Sequence, residues 1–159
     1  MSLSEEYERE SRICEEALDD KGYIVSIETG LTTTDGNVKK ATSTYYEVYG
    51  VVTHDTKNKV TGTAVADKPV AIKKSGRAEV RITPKANRST AIVIGSLLAV
   101  YDAGEAAEVT DCAVTTLLGT VNAANVLKAK KTIVGIALEA VAADADPTGN
   151  KIEVDLKTR

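Results

Sequence analysis

Catalysis, metal binding and covalent chemistry each need particular side chains at particular spacings, and this chain has few candidates. Its single histidine, His54, lies in the polar stretch Thr53-His54-Asp55-Thr56-Lys57-Asn58-Lys59 between two apolar segments. An imidazole works as a general base only with a nucleophile or a carboxylate held beside it. In this company His54 reads as a solvated loop residue. Gly95-Ser96 lacks the glycine-serine-glycine elbow that a hydrolase needs. Gly30 to Gly36 has neither the lysine nor the spacing of a phosphate loop. Asp35 and Asp55 are scattered, without the alternating ligand spacing of a calcium loop. Cys14 and Cys112 stand far apart, which makes neither a disulfide framework nor a metal-ligand pair. They read as reduced, buried thiols. No catalytic residue, no metal and no cofactor is expected, and the chain does not read as an enzyme.

Function is then expected in surfaces, and the elements that shape them follow from composition. The 159 residues fit one domain with room for an appendage. Phe and Trp are absent, so Val, Ile, Leu, Ala and some of the six Tyr must fill the core. Val and Thr are abundant, and β-branched side chains favour a pleated, half-buried surface. A net charge of -3 is opposite in sign to the footprint of a dedicated nucleic-acid binder. No apolar stretch approaches the roughly 20 residues that cross a bilayer, so no membrane partner is expected. The N-terminus is acidic where a signal peptide would be basic, so secretion is not expected either.

Residues 1–21 differ from the rest. Within 4–20, Glu5, Glu6, Glu8, Glu10, Glu15, Glu16, Asp19 and Asp20 face only Arg9 and Arg12. Leu3, Tyr7, Cys14 and Leu18 fall near heptad spacing, and Ser2 with Glu5 could form a capping box. This pattern predicts a short helix over 4–20, or an extended arm that docks on a neighbouring subunit.

Residues 22–159 predict a β domain. Strands are expected at 23–28, 45–53, 60–66, 70–74, 78–83, 91–100, 132–140 and 151–156. Turn chemistry at Asp35-Gly36, Pro84 to Ser89, Asp102-Ala103-Gly104-Glu105 and Pro147 to Asn150 separates them. In 45–53, Tyr46, Val48, Gly50 and Val52 should share one face, with Tyr45, Tyr49 and Val51 on the other. The stretch 113–127 mixes Ala and Leu with Thr115, Thr116, Gly119 and Thr120, and is read as strand and loop. Short strands at intervals of roughly 8–12 residues indicate a compact β-barrel or β-sandwich, mainly β and antiparallel.

Charge and tyrosine mark the expected contact surfaces. Lys68, Lys73, Lys74, Arg77, Arg81, Lys85 and Arg88 stand against only Asp67 and Glu79. They read as a solvated strand face, or as a basic patch that meets an acidic surface such as segment 5–20 of a neighbouring copy. Tyr45 and Tyr49 must lie on a strand surface where one of them can contact another subunit. The expected contacts are therefore Tyr7, Cys14, Leu18, Tyr45, Tyr49, Arg77 and Arg81.

Three stretches carry a resemblance: Lys73-Lys74-Ser75-Gly76-Arg77-Ala78-Glu79-Val80-Arg81-Ile82, then Ile94-Gly95-Ser96-Leu97-Leu98-Ala99-Val100-Tyr101-Asp102-Ala103-Gly104-Glu105, and Ile133-Val134-Gly135-Ile136-Ala137-Leu138-Glu139-Ala140 with the closing Ile152-Glu153-Val154-Asp155-Leu156. Together they cover roughly residues 70 to 157. This part of the chain resembles the capsid decoration, or cement, proteins of tailed bacteriophages and related archaeal viruses. The resemblance implies a homotrimer on the outer capsid surface of the virion, made in the host cytoplasm and partnered by the major capsid protein. It carries no catalytic residue to transfer. Other readings stay open: a different phage head or tail component, or a small β domain that binds a ligand.

Overall fold

The computed structural model describes residues 9–27, 36–43, 47–117 and 119–156, and it is mainly β, as the sequence predicts. Two β bodies follow one another along the chain. The first is a closed five-stranded barrel of β1 (Arg9–Cys14), β2 (Ile24–Ile27), β3 (Val38–Lys40), β4 (Gly50–Val52) and β5 (Lys68–Lys73), ordered β1-β3-β2-β4-β5. β1 closes it by pairing antiparallel with β5, from Arg9 opposite Lys73 to Cys14 opposite Lys68.

The second body is a five-stranded antiparallel sheet. Its strands are β6 (Gly76–Arg81), β7 (Leu97–Asp102), β8 (Glu105–Glu108), β9 (Ile133–Ala137) and β10 (Lys151–Leu156), ordered β6-β10-β9-β7-β8. The sheet curls until its two edges meet. Ile82, just past β6, bridges Ala106 of β8, and Thr83 N–H donates to the Ala106 carbonyl at 2.9 Å. Two helices lie over its outer side, α1 (Val114–Leu117) and α2 (Ala123–Thr132).

Where the bodies join, β2 and β4 are buried on both faces. Successive strand residues point to opposite sides. Val25 and Val52 therefore enter the barrel core with Cys14, Leu18, Val38, Val70 and Ile72. Ile24 and Val51 enter the other core with Val80, Leu98, Val100, Ile152 and Val154. The two strands form a common wall. The side chains before β4 depart from simple alternation: Val48 shares a core with Val51, while Tyr49 packs beside Val52. Regular strand begins only at Gly50, so the expected face assignment slips upstream of it.

Two glycines hold the second sheet together. The β7–β8 hairpin turns through Ala103 and Gly104 at φ of 52° and 75°, the paired positive values that a two-residue hairpin requires. A Cβ on Gly104 would lie 2.9 Å from the Tyr23 ring, so the turn sits flush against the first barrel. In β9, a Cβ on Gly135 would fall 2.1 Å from the Asp155 carbonyl oxygen, and no side chain fits there.

Several expected elements are corrected. Residues 9–14 are strand rather than helix, because pairing with β5 satisfies the backbone and sends Cys14 inward, which a thin apolar stripe on a helix could not match. Residues 57–66 contain no regular strand. Asn58 folds them into a loop, its side chain accepting from Val60 N–H at 2.8 Å and Thr61 N–H at 3.3 Å, and a single bridge from Lys57 to Ala64 closes the base. The run from 91 becomes β7 only at Leu97, since Gly95 has a φ of 93°. The stretch read as strand and loop holds α1 and the first half of α2, whose N-terminus Asn122 caps by accepting from Asn125 N–H at 2.9 Å.

Arg88, expected in a basic surface stretch, has a fully buried side chain. It donates to the carbonyls of Thr83 at 2.9 Å and Ala142 at 3.2 Å, and also to that of Ala145. It ties loop 84–90 to loop 142–146. Replacing Arg88 with Met should cost at least about 1–3 kcal/mol of stability, since buried carbonyls lose their donors. Replacing Ile24 with Ala should cost about 2–5 kcal/mol. Because its strand belongs to both cores, tyrosine fluorescence and circular dichroism should still report one coincident denaturant transition.

Candidate binding surface

The residues expected to meet neighbours fall into three groups. Cys14 and Leu18 are fully buried in the barrel, so the expectation that they form contacts is corrected. Tyr7 and Tyr45 lie outside the described residues. Tyr49, Arg77 and Arg81 lie at the surface, and Tyr49 and Arg81 are engaged within the chain.

Tyr49 stands at the centre of a charged cluster. Its hydroxyl donates to Glu10 Oε2 and accepts from Arg12 Nη2 at 3.1 Å. Arg12 Nη2 also reaches Glu10 Oε1 at 2.5 Å, and Lys74 Nζ reaches Glu10 Oε2 at 3.0 Å. Lys74 Nζ lies 3.9 Å from the centre of the Tyr49 ring, a cation–π contact. Hydrogen bonds from Tyr49 and then Lys74 hold the Glu10 carboxyl down to about 2.

Arg81 belongs to a second cluster. Asp20 Oδ2 accepts from Arg81 Nη1 at 3.1 Å and from Lys151 Nζ. The Arg81 guanidinium lies 4.7 Å from the centre of the Tyr23 ring, and Tyr23 donates to Asp19 at 2.6 Å. Lys21 pairs with Glu79 at 2.5 Å. Within this chain, then, the acidic residues Glu10 and Asp20 already meet Lys74 and Arg81 of the basic stretch. Of the expected contact residues that the structure describes, only Arg77 is exposed and outside these clusters.

Reactive groups are held apart. His54 is exposed in a bend. Cys112 is buried, its thiol directed at the carbonyls of Ala99 and Glu108, each 3.4 Å away, and burial pushes it up to about 12. No group of three or more His, Cys, Asp and Glu that could hold a metal occurs among the described residues. Nor is any helix among them long and apolar enough to cross a membrane.

An open apolar surface lies elsewhere, on the outer side of the second sheet. α2 covers Ala99 and Ala107 of β7 and β8 through Ala129, and leaves the neighbouring strands open. Between α2 and β10 runs a groove of about 400 Å³, floored by Leu97, Ile133, Gly135 and Ile136 and ending at Leu156. Lys130 of α2 forms one wall and Asp155 of β10 the other. Leu127, one turn before Lys130 on the same helix face, is exposed. Beside the groove, Val93 and Ile94 project from the turn before β7 with 58% and 70% of their surface exposed. Exposed aliphatic residues grouped beside a groove make this surface the candidate for binding.

Sequence reading missed this groove because it took Leu97 and Ile136 as parts of apolar strands and the first half of α2 as strand and loop. No family model, curated protein or solved structure matches the chain. The groove and its projecting turn are the candidate binding site.

The Glu10 cluster makes a distinct pH signature. Its folded carboxyl titrates below the ordinary value of 4.5, so ionised Glu10 contributes stability that is complete above about pH 4.5 and lost as pH falls towards about 2. Thermal unfolding between neutral pH and about pH 2 should show a steeper acid limb for the native chain than for Glu10→Gln. Identical limbs would rule the cluster out as a source of acid sensitivity.

Proposed function

We propose that this chain is a viral structural protein, a non-enzymatic capsid decoration protein that binds the outer shell and stabilises it through non-covalent contacts. The observation that carries the reading is the open apolar groove with its exposed aliphatic turn, set on a β body whose own cores are complete. A surface of this kind serves binding rather than turnover. The resemblance of residues 70 to 157 to decoration proteins supplies the kind of partner, a major capsid protein, and a homotrimeric form on the virion surface. Shell binding by many copies needs only modest affinity at each site, since repeated contacts across a lattice add in effect.

The groove also suits a second reading, a small β module for an apolar ligand, because its volume falls in the range of ligand pockets. The two separate by experiment. Purified chain should co-sediment saturably with empty shells assembled from the major capsid protein encoded alongside it, and should raise the temperature at which those shells come apart. Native mass measurement should give a trimer. Failure to sediment with the shells, together with a rise in melting temperature on adding a medium-chain fatty acid, would replace the first reading with the second.

A further inference from the structure

The groove and the turn beside it have the form of two halves of one contact. Val93 and Ile94 make a firm knob, because Val93 N–H donates to Ser96 Oγ at 2.9 Å and Ser96 N–H returns to the Val93 carbonyl at 2.9 Å. Gly95 N–H anchors the turn to the Ala137 carbonyl at 2.8 Å, next to Ile136 on the groove floor. A knob already fixed in shape loses little conformational freedom when it docks.

The groove constrains its occupant by charge as well as by polarity. Lys130 and Asp155 face it from opposite walls. Each is exposed, and neither makes an ion pair or a side-chain hydrogen bond among the described residues. An aliphatic acid would answer Lys130 and leave Asp155 without a positive partner. A complementary occupant brings aliphatic side chains together with one charge of each sign. A second copy of this chain offers all of these on one face: its Val93 and Ile94, its Asp155 and its Lys130.

From this we infer that the occupant is a second copy, with Val93 and Ile94 of one chain seated on Leu97, Ile133 and Ile136 of the other and Lys130 facing Asp155 across the contact. This deepens the proposed function and rests on its reading of the groove as a protein-binding surface. It adds the identity of the first partner. The aliphatic centre supplies affinity and the flanking charges set the alignment, as in other interfaces with a dry core and a polar rim.

Sedimentation velocity of the full chain over a wide concentration range, at low salt, tests the contact. The native chain should self-associate, and Ile94→Asp should weaken association by about tenfold or more. Its melting temperature should hold, because Ile94 is exposed; should Ile94→Asp fail to fold, Ile94→Ser serves in its place. Lys130→Glu and Asp155→Lys should each weaken association, and an equimolar mixture of the two should associate more strongly than either variant alone. A native chain that stays monomeric throughout, an Ile94 variant that associates like the native chain, or a mixture no better than its components would each overturn the inference. Shell co-sedimentation keeps the two ideas separable. A monomeric native chain that still binds shells defeats the self-contact and the trimer and leaves shell binding standing, and an associating chain that ignores shells defeats only the decoration reading.

Discussion

Two short strands with no solvent side determine the rest of the molecule. β2 and β4 carry Ile24 and Val51 into one core and Val25 and Val52 into the other, so neither body can complete its interior alone. Main-chain hydrogen bonds reinforce the join: Ile24 N–H donates to the Gly104 carbonyl at 2.8 Å, and Gly104 N–H to the Ala41 carbonyl at 2.7 Å. Such a seam fixes the orientation of the second sheet, and with it the direction in which the groove opens. A domain without Phe or Trp has few large side chains to spare, and sharing a wall between cores extracts burial from both faces of the same Val and Ile residues.

Electrostatics works on the periphery of that seam. Asp20 gathers Arg81 from β6 and Lys151 from β10 onto the segment that leads into β2, while Glu10 holds Lys74 against the barrel. Exposed pairs of this kind contribute little energy one at a time. Their greater effect is on alignment, because each links an early segment of the chain to a later one. The acidic character of the first residues and the basic character of residues 68–88 are therefore, for these pairs, two sides of one intrachain fit.

Much of the β grammar was legible. The Asp102 to Glu105 turn, the alternation of Ala78 to Thr83 and the closing strand from Lys151 all appear where turn chemistry and periodicity put them. β1 was hidden because its inward position is held by a single small residue, Cys14, amid charges that suit a helix surface equally well. α2 was hidden by β-branched residues just before it, and its identity depends on the Asn122 cap. The candidate site was the least legible part. Leu97 and Ile136 look like core residues in sequence, and only the incomplete cover provided by α2 leaves them open.

The loop between β4 and β5 carries a practical corollary. Its neck is drawn together by the bridge between Lys57 and Ala64, while Val60 at the tip is 93% exposed and contributes to neither core. A foreign sequence spliced in at Val60 would begin and end at adjacent points, and the entropic cost of lengthening a closed loop rises only slowly. That makes the tip a natural platform for displaying an epitope or an affinity tag while the groove, on the other β body, keeps its shape.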